Sequence, residues 1–283
     1  MSQRNHMFPD KIVPLALTGV VFLFMCVLLY AELLLLNKFV LSRETIKLHL
    51  RWSDIAIGMT IYLKTSIDFA IFIGRLMDKY PGWKNRIAIE IGTALGNTLG
   101  TLGILIVWDI FREVRFLMAG MILLAALVLL RLAEEGLDHV KDEQGKYHIS
   151  FWGFEIWFEK VLVAINRAVA PVLNRLVPHT SMRQNTKPGY KALFIFSFSV
   201  PFILGLDDFA GYIPLFNVVN VFGFAIGVFL GHMLLNIFLF LSPTRTIHAV
   251  KNPVISFLGS LAFVGLALWG IFEAAKLVGL ASP

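Results

Sequence analysis

Two aspartates occupy equivalent places in two apolar segments of the sequence. Asp68 lies in segment 65–73 and Asp208 in segment 205–213, and each is followed by Phe-Ala and by an Ile at the fifth following position. A carboxylate near the middle of a membrane helix costs about 3 kcal/mol on insertion scales unless it is paired, hydrated or protonated. Such a pair of carboxylates could bind a cation or exchange a proton.

The alternative for the first aspartate is a structural ion pair. Lys64 precedes Asp68 by four residues, so the two side chains would be neighbours on one helical face. The second segment has Leu204 at the place of Lys64, so this pairing does not account for Asp208. Asp207 points about 100° away from Asp208 on a helix, and we expect one of the two to face the site.

Other polar residues lie in apolar surroundings. Asn97, His232 and Asn236 could supply ligands or line a pathway, and hydrogen bonding between helices is the alternative for each. Glu32 and Glu90 are interpreted as lying near a membrane interface. The sequence has no H-x-x-x-H pair for zinc and no phosphate-binding loop for nucleotide hydrolysis.

The composition determines which elements must position these residues. Hydrophobic residues make up 57% of the 283 and charged residues 16%, which is too apolar for a soluble domain. Seven apolar runs are long enough to cross a bilayer as helices. They are 12–36, 55–77, 87–111, 116–132, 192–213, 218–241 and 254–275. The sequence therefore predicts an all-α integral membrane protein, in which the first helix is a retained anchor.

The segment 151–177 is amphipathic, and it is predicted to lie in the membrane interface. Phe154, Trp157, Phe158 and Val161 share one helical face with further apolar residues, while acidic and basic side chains occupy much of the rest. The single cysteine, Cys26, excludes an intrachain disulfide.

The net charge of +6 is interpreted as membrane orientation and not as a nucleic-acid surface. Most of the 25 Lys and Arg residues fall between the apolar runs, on the side of the membrane that carries the amino terminus. Because basic residues are enriched on the cytoplasmic side, we expect a plasma-membrane protein with a cytoplasmic amino terminus and an external carboxyl terminus.

Glycines repeat four residues apart in the helix that follows each aspartate-bearing helix. One row is Gly92, Gly96 and Gly100, and the other is Gly223, Gly227 and Gly231. Such rows let helices approach closely. The sequence divides into an anchor (1–53), a first three-helix repeat (54–134), a linker with the amphipathic helix (135–190) and a second three-helix repeat (191–283). Because each repeat has an odd number of spans, the two repeats would be inverted relative to each other.

The Ser66–Ala70 motif and its counterpart, Leu206–Ala210, resemble the paired aspartate motifs of the lysine-exporter superfamily. The likeness is greatest to its manganese-efflux and tellurium-resistance-associated membrane proteins, and it covers roughly residues 55–134 and 190–276. The resemblance implies two inverted three-helix repeats. It also implies that Asp68 and Asp208 bind the ion, with Ser66 and Asn97 as supporting oxygens.

The function expected from these features is secondary transport by alternating access. The substrate would be a divalent cation, Mn²⁺ or Ca²⁺, bound by oxygen ligands, with proton binding as the coupling step and no covalent cofactor. Two alternatives stay open. Paired aspartates could form an intramembrane protease dyad, and Lys64 could receive the carboxylate of an amino acid or another small solute.

Overall fold

The computed structural model describes most of the chain, and nearly all of that part is helical. The described residues are 7–39, 45–80, 82–138, 140–141, 144–147, 153–176, 190–191, 193–195, 197–199, 212–217, 219–250 and 252–279. Among them there is no β-strand, and one isolated bridge joins Lys141 to Tyr147. The prediction of an all-α protein is confirmed.

Nine α-helices and one short 3₁₀ helix are described. They are α1 (Met7–Phe39), α2 (Trp52–Thr65), α3 (Ile67–Lys79), α4 (Trp83–Phe111), α5 (Arg115–Asp138), α6 (Phe154–Leu176), η1 (Ile213–Asn217), α7 (Val221–Leu241), α8 (Pro243–Val250) and α9 (Pro253–Leu277). Five of these helices, α1, α4, α5, α7 and α9, are long and apolar enough to cross a bilayer. They coincide with five of the seven predicted spans.

The second predicted span is not one continuous helix. The run 55–77 is divided at Ser66 into α2 and α3, whose axes differ in direction by 67°. If this bent pair counts as one span, the described residues contain six. Most of the fifth predicted span, 192–213, lies outside the described residues.

Two compact units make up the described fold, and each combines helices from both predicted repeats. The first unit contains α1 to α4, the helical residues between 190 and 199, and α7. Within it α7 packs against α1, α2 and α3. Asn220 fixes the start of α7, because its side chain accepts a hydrogen bond from Gly223 N–H and donates one to the Lys47 carbonyl.

The second unit is built on the packing of α5 against α9. Small residues allow the two helices to approach closely, because a side chain on Gly136 would meet the hydroxyl of Ser260 at 2.5 Å. Asn252 caps α9 by accepting from Val254 and Ile255 N–H, and Pro253 occupies the first turn, where no backbone donor is needed.

The amphipathic helix is present as α6, and it packs against α5 in the second unit. Phe158 and Leu162 are buried in the core of that unit, and so is Glu155, which is 3% exposed. Trp157 and Val161 remain exposed. The predicted apolar face is therefore divided: part of it packs on the protein, and part is available to lipid.

Candidate functional site

The broken helix places the first aspartate motif at a helix start. Ser66 ends α2 and precedes α3, with φ −84° and ψ 22°, and its N–H donates to the Tyr62 carbonyl at 2.9 Å. Asp68 is consequently the second residue of α3. The first backbone N–H groups of a helix have no partner within the helix and form its positive end. Asp68 thus begins a half-helix inside an apolar segment, although its side chain lies outside the described residues.

Two residues predicted to support ion binding are buried with unused polar atoms. Ser66 is 1% exposed and Asn97 is 4% exposed. Neither the Ser66 hydroxyl nor the Asn97 amide nitrogen has a hydrogen-bond partner in the part of the chain that the structure describes. Leaving a buried polar atom unsatisfied costs about 1–3 kcal/mol. The Ser66 oxygen is therefore open to a cation, whereas the Asn97 amide nitrogen only donates and is open to a hydrogen-bond acceptor.

A chain of buried polar side chains crosses the first unit. The Tyr62 hydroxyl lies 2.7 Å from His232 Nδ1, and the Asn236 amide nitrogen lies 3.0 Å from His232 Nε2. Asn236 and Thr18 both hydrogen-bond the carboxyl group of Glu90. All five residues are almost fully buried. The chain of hydrogen bonds therefore joins α1, α4, α7 and α2.

The aspartate motif contacts this chain through an aromatic ring. Phe69, the residue after Asp68, is buried and lies 5.7 Å from the His232 ring, centroid to centroid. The ring of Tyr62 packs edge-on against the same imidazole at 5.8 Å. His232 is thus held between the last turn of α2 and the first turn of α3.

Glycines bring α2 and α7 into backbone contact. A side chain on Gly58 would collide with the Phe224 carbonyl, and one on Gly227 would collide with the Ile55 carbonyl. A side chain on Gly231 would meet the Tyr62 ring at 2.9 Å. Gly223 lies against Asp54 in the same interface. The second glycine row therefore packs on the helix that precedes the first aspartate.

The first glycine row is also buried. Gly92, Gly96 and Gly100 are all inaccessible on α4. A side chain on Gly92 would meet the Phe194 carbonyl oxygen at 2.7 Å, so the helical residues 193–195 and 197–199 run directly against α4. Gly92, Gly223, Gly227 and Gly231 all lie where another part of the chain approaches the helix closely.

Sequence reasoning located part of this arrangement. His232 and Asn236, predicted to line a pathway, are neighbours in the buried chain. Glu90, which was interpreted as lying near a membrane interface, is 1% exposed and lies within the chain of hydrogen bonds. Nothing in the sequence distinguished Tyr62 and Thr18 from other polar residues in the apolar runs, so their place in the buried chain could not be predicted.

The structure describes only one of the remaining predicted site residues. Asp207 and Asp208 lie outside the described residues, and Lys64 lies on α2 with a partly buried side chain. Among the described side chains, no group of three His, Cys, Asp or Glu is placed to hold a metal ion. When the chain was compared with protein-family models, curated proteins and solved structures, nothing matched.

Proposed function

We propose that this protein is a secondary transporter that moves a divalent cation, Mn²⁺ or Ca²⁺, across the plasma membrane by alternating access. The observation that carries the proposal is the division of a membrane span at Ser66, two residues before Asp68. Secondary transporters bind substrate near the bilayer midplane with discontinuous helices, whose ends and freed backbone groups contact the ion. A soluble-type core or a simple structural span has no need of such a break.

The packing of the predicted repeats supports the inverted arrangement. The helix that directly precedes the aspartate-bearing half-helix of the first repeat, α2, packs on the glycine helix of the second, α7, through Gly58 and Gly227. Residues 193–195 and 197–199, from the start of the second repeat, pack on the glycine helix of the first, α4, at Gly92. The third helices, α5 and α9, pack on each other. A two-fold relation between inverted repeats produces this reciprocal exchange of partners.

The substrate assignment rests on the carboxylates. Asp68 and Asp208 occupy matching positions, and the motif resembles those of the manganese-efflux families within the lysine-exporter superfamily. Ser66 adds a buried hydroxyl oxygen at the start of α3. Asn97 on α4 is also buried and would contribute its side-chain carbonyl oxygen. Hard divalent cations prefer carboxylate, hydroxyl and carbonyl oxygens, which are the groups available here. Asp207 is the alternative ligand if it, and not Asp208, faces the site.

Flux and binding measurements on the purified protein test this function. In proteoliposomes, Asp68→Asn and Asp208→Asn should each abolish Mn²⁺ uptake and Mn²⁺ binding while the protein still folds, because an amide keeps the shape of the carboxyl group. Asp138→Asn is the matched control, since that side chain is 73% exposed at the end of α5. Uptake that persists in both variants would refute the assignment, and cleavage of a membrane peptide without uptake would favour the protease alternative.

A double variant separates ion binding from structural pairing. If Asp68 served only to pair Lys64, Asp68→Asn would leave a buried cation without its partner and destabilise the protein by about 3–5 kcal/mol. Lys64→Met combined with Asp68→Asn would then restore both stability and uptake. The transporter proposal expects that this double variant folds stably and transports nothing.

A further inference from the structure

We propose that the outer face of α6 binds anionic phospholipid headgroups at one surface of the membrane, through Lys160 and Arg167. This inference does not depend on the proposed transport function. It comes from the way in which the structure separates the charged residues of α6. The acidic side chains face the rest of the protein, whereas the two basic side chains that the structure describes on this helix are exposed beside apolar residues.

Both acidic residues of α6 are held by the protein itself. Glu155 is only 3% exposed. The Glu159 carboxylate pairs with Lys141, and it accepts a hydrogen bond from the Tyr147 hydroxyl at 2.6 Å. Lys141 and Tyr147 belong to the segment between α5 and α6. A carboxylate on the outer face would repel anionic lipid, and the described residues of α6 place none there.

The basic residues lie on the opposite side of the helix. Lys160 and Arg167 are exposed, and neither has an ion-pair partner in the part of the chain that the structure describes. They are seven positions apart, which is two helical turns, so they follow each other along one edge of α6 about 10 Å apart. Two cations without a partner in the described fold make this edge attractive to anionic groups.

A stripe of exposed apolar side chains borders this edge. Trp157 is 59% exposed, and Val161 and Ile165 are each 37% exposed. The three residues are spaced four apart, so they share one helical face. A helix with basic residues beside such a face lies in the plane of the interface, where the apolar side chains enter the acyl region and the cations reach the headgroups. Indole rings prefer the same depth.

The contacts of α6 place this face near one end of the membrane helices. Asn166 donates to the Leu130 carbonyl at 3.1 Å, in the last three turns of α5. The rings of Phe154 and Phe158 pack edge-on against Phe257, in the second turn of α9. Both α5 and α9 are long and apolar enough to cross a bilayer. Because α6 is attached near the ends of two such helices, a headgroup layer is the anionic surface beside it.

Quenching of a fluorescent probe between the two cations tests this preference. The probe is attached to Ala164→Cys, an exposed position on the same face, in a Cys26→Ser background. The protein is reconstituted in phosphatidylcholine vesicles with a small share of spin-labelled phosphatidylglycerol or, for comparison, spin-labelled phosphatidylcholine. Phosphatidylglycerol should be enriched near the probe about fivefold, the factor expected for one basic residue at the surface. Equal quenching by the two lipids would overturn the proposal and would favour an acidic protein as the partner of this face.

A double variant separates the attraction by α6 from the general effect of a basic protein. Lys160→Gln combined with Arg167→Gln should remove the enrichment, and the fold should survive because both side chains are exposed. Arg115→Gln combined with Lys47→Gln is the matched control. It removes the same charge at exposed positions outside α6 and should keep the enrichment. Enrichment that persists in the α6 double variant would show that other residues attract the lipid, and it would refute the assignment.

The salt dependence of the quenching distinguishes headgroup attraction from a preference for one acyl chain. The screening length falls from about 10 Å at 0.1 M salt to about 3 Å at 1 M. The enrichment of phosphatidylglycerol near the probe should therefore decline as salt is added. Enrichment that is the same at both salt concentrations would contradict an interaction with the charged headgroup.

Discussion

Replacing Gly227 with alanine should destabilise the protein. An added Cβ would overlap the Ile55 carbonyl oxygen, and it would lie 2.9 Å from both the Ile55 carbonyl carbon and the Met59 nitrogen. Favourable contacts between carbon atoms begin at about 3.5 Å, so even the two milder contacts are short by about 0.6 Å. All three atoms belong to the α2 backbone, which cannot move aside by rotating a side chain.

The cost can be estimated from other overpacked sites. Forcing an extra carbon into a tight interface costs about 1–3 kcal/mol, and for a chain of this size each kcal/mol lowers the unfolding temperature by about 2–4 °C. We therefore expect Gly227→Ala to unfold about 5 °C below wild type in a thermal scan of detergent-solubilised protein. Gly227→Leu should be worse, because the larger side chain cannot leave the interface.

Gly265→Ala is the matched control on another membrane helix. Nothing lies within 4 Å of the position where its Cβ would be, and the residue is in the interior of α9. Alanine in a helix is favoured over glycine by about 0.5–1 kcal/mol, so this variant should be as stable as wild type or slightly more stable. Equal unfolding temperatures for Gly227→Ala and Gly265→Ala would refute the proposed backbone contact between α2 and α7.

Three further measurements address other parts of the chain. Burial alone would raise the pKa of Glu159, but hydrogen bonds from Lys141 and Tyr147 lower that pKa below 4.5. The contribution of ionised Glu159 to the stability of the fold is therefore complete at neutral pH and is lost on acidification. Glu159→Gln should reduce stability by about 0.2–1 kcal/mol at pH 7, and the difference from wild type in unfolding scans should shrink as the pH falls through the folded-state pKa of Glu159. A reporter fused after Pro283 should lie outside the cytoplasm and one inserted at Gly145 inside; finding both on one side would contradict the odd number of spans. A polarity-sensitive probe on Trp157→Cys, in protein without the native cysteine, should report an interfacial environment, and a fully aqueous signal would exclude contact with lipid.

The sequence predicted the helices that are defined by their own length and hydropathy. Runs such as 87–111 and 218–241 must be helical inside a bilayer, because only internal hydrogen bonds can satisfy their backbone there. The glycine rows were equally visible, since four-residue spacing places all members on one face. Such local regularities need no knowledge of the partner helix.

The break at Ser66 and the buried hydrogen-bonded chain could not be predicted in the same way. Hydropathy averages over a window, so a change of direction within the apolar run 55–77 leaves no trace in it. Tyr62 and His232 are 170 residues apart, and their contact depends on how α2 and α7 pack. Glu90 illustrates the same difficulty, because its burial follows from the neighbours that hydrogen-bond it and not from its position along α4.

The geometry at Ser66 has a mechanical consequence. Close backbone contact at Gly58 and Gly227 holds α2 firmly against α7. In contrast, α3 is joined to α2 through the two backbone torsions of a single residue, Ser66. At 1.5 Å per residue, the 13 residues of α3 form a lever arm of about 20 Å. A torsional change of about 10° at Ser66 would move the far end of α3 by about 3 Å while α2 keeps its position. Small rotations at one buried residue are thus amplified into a displacement of several ångströms at the far end of α3.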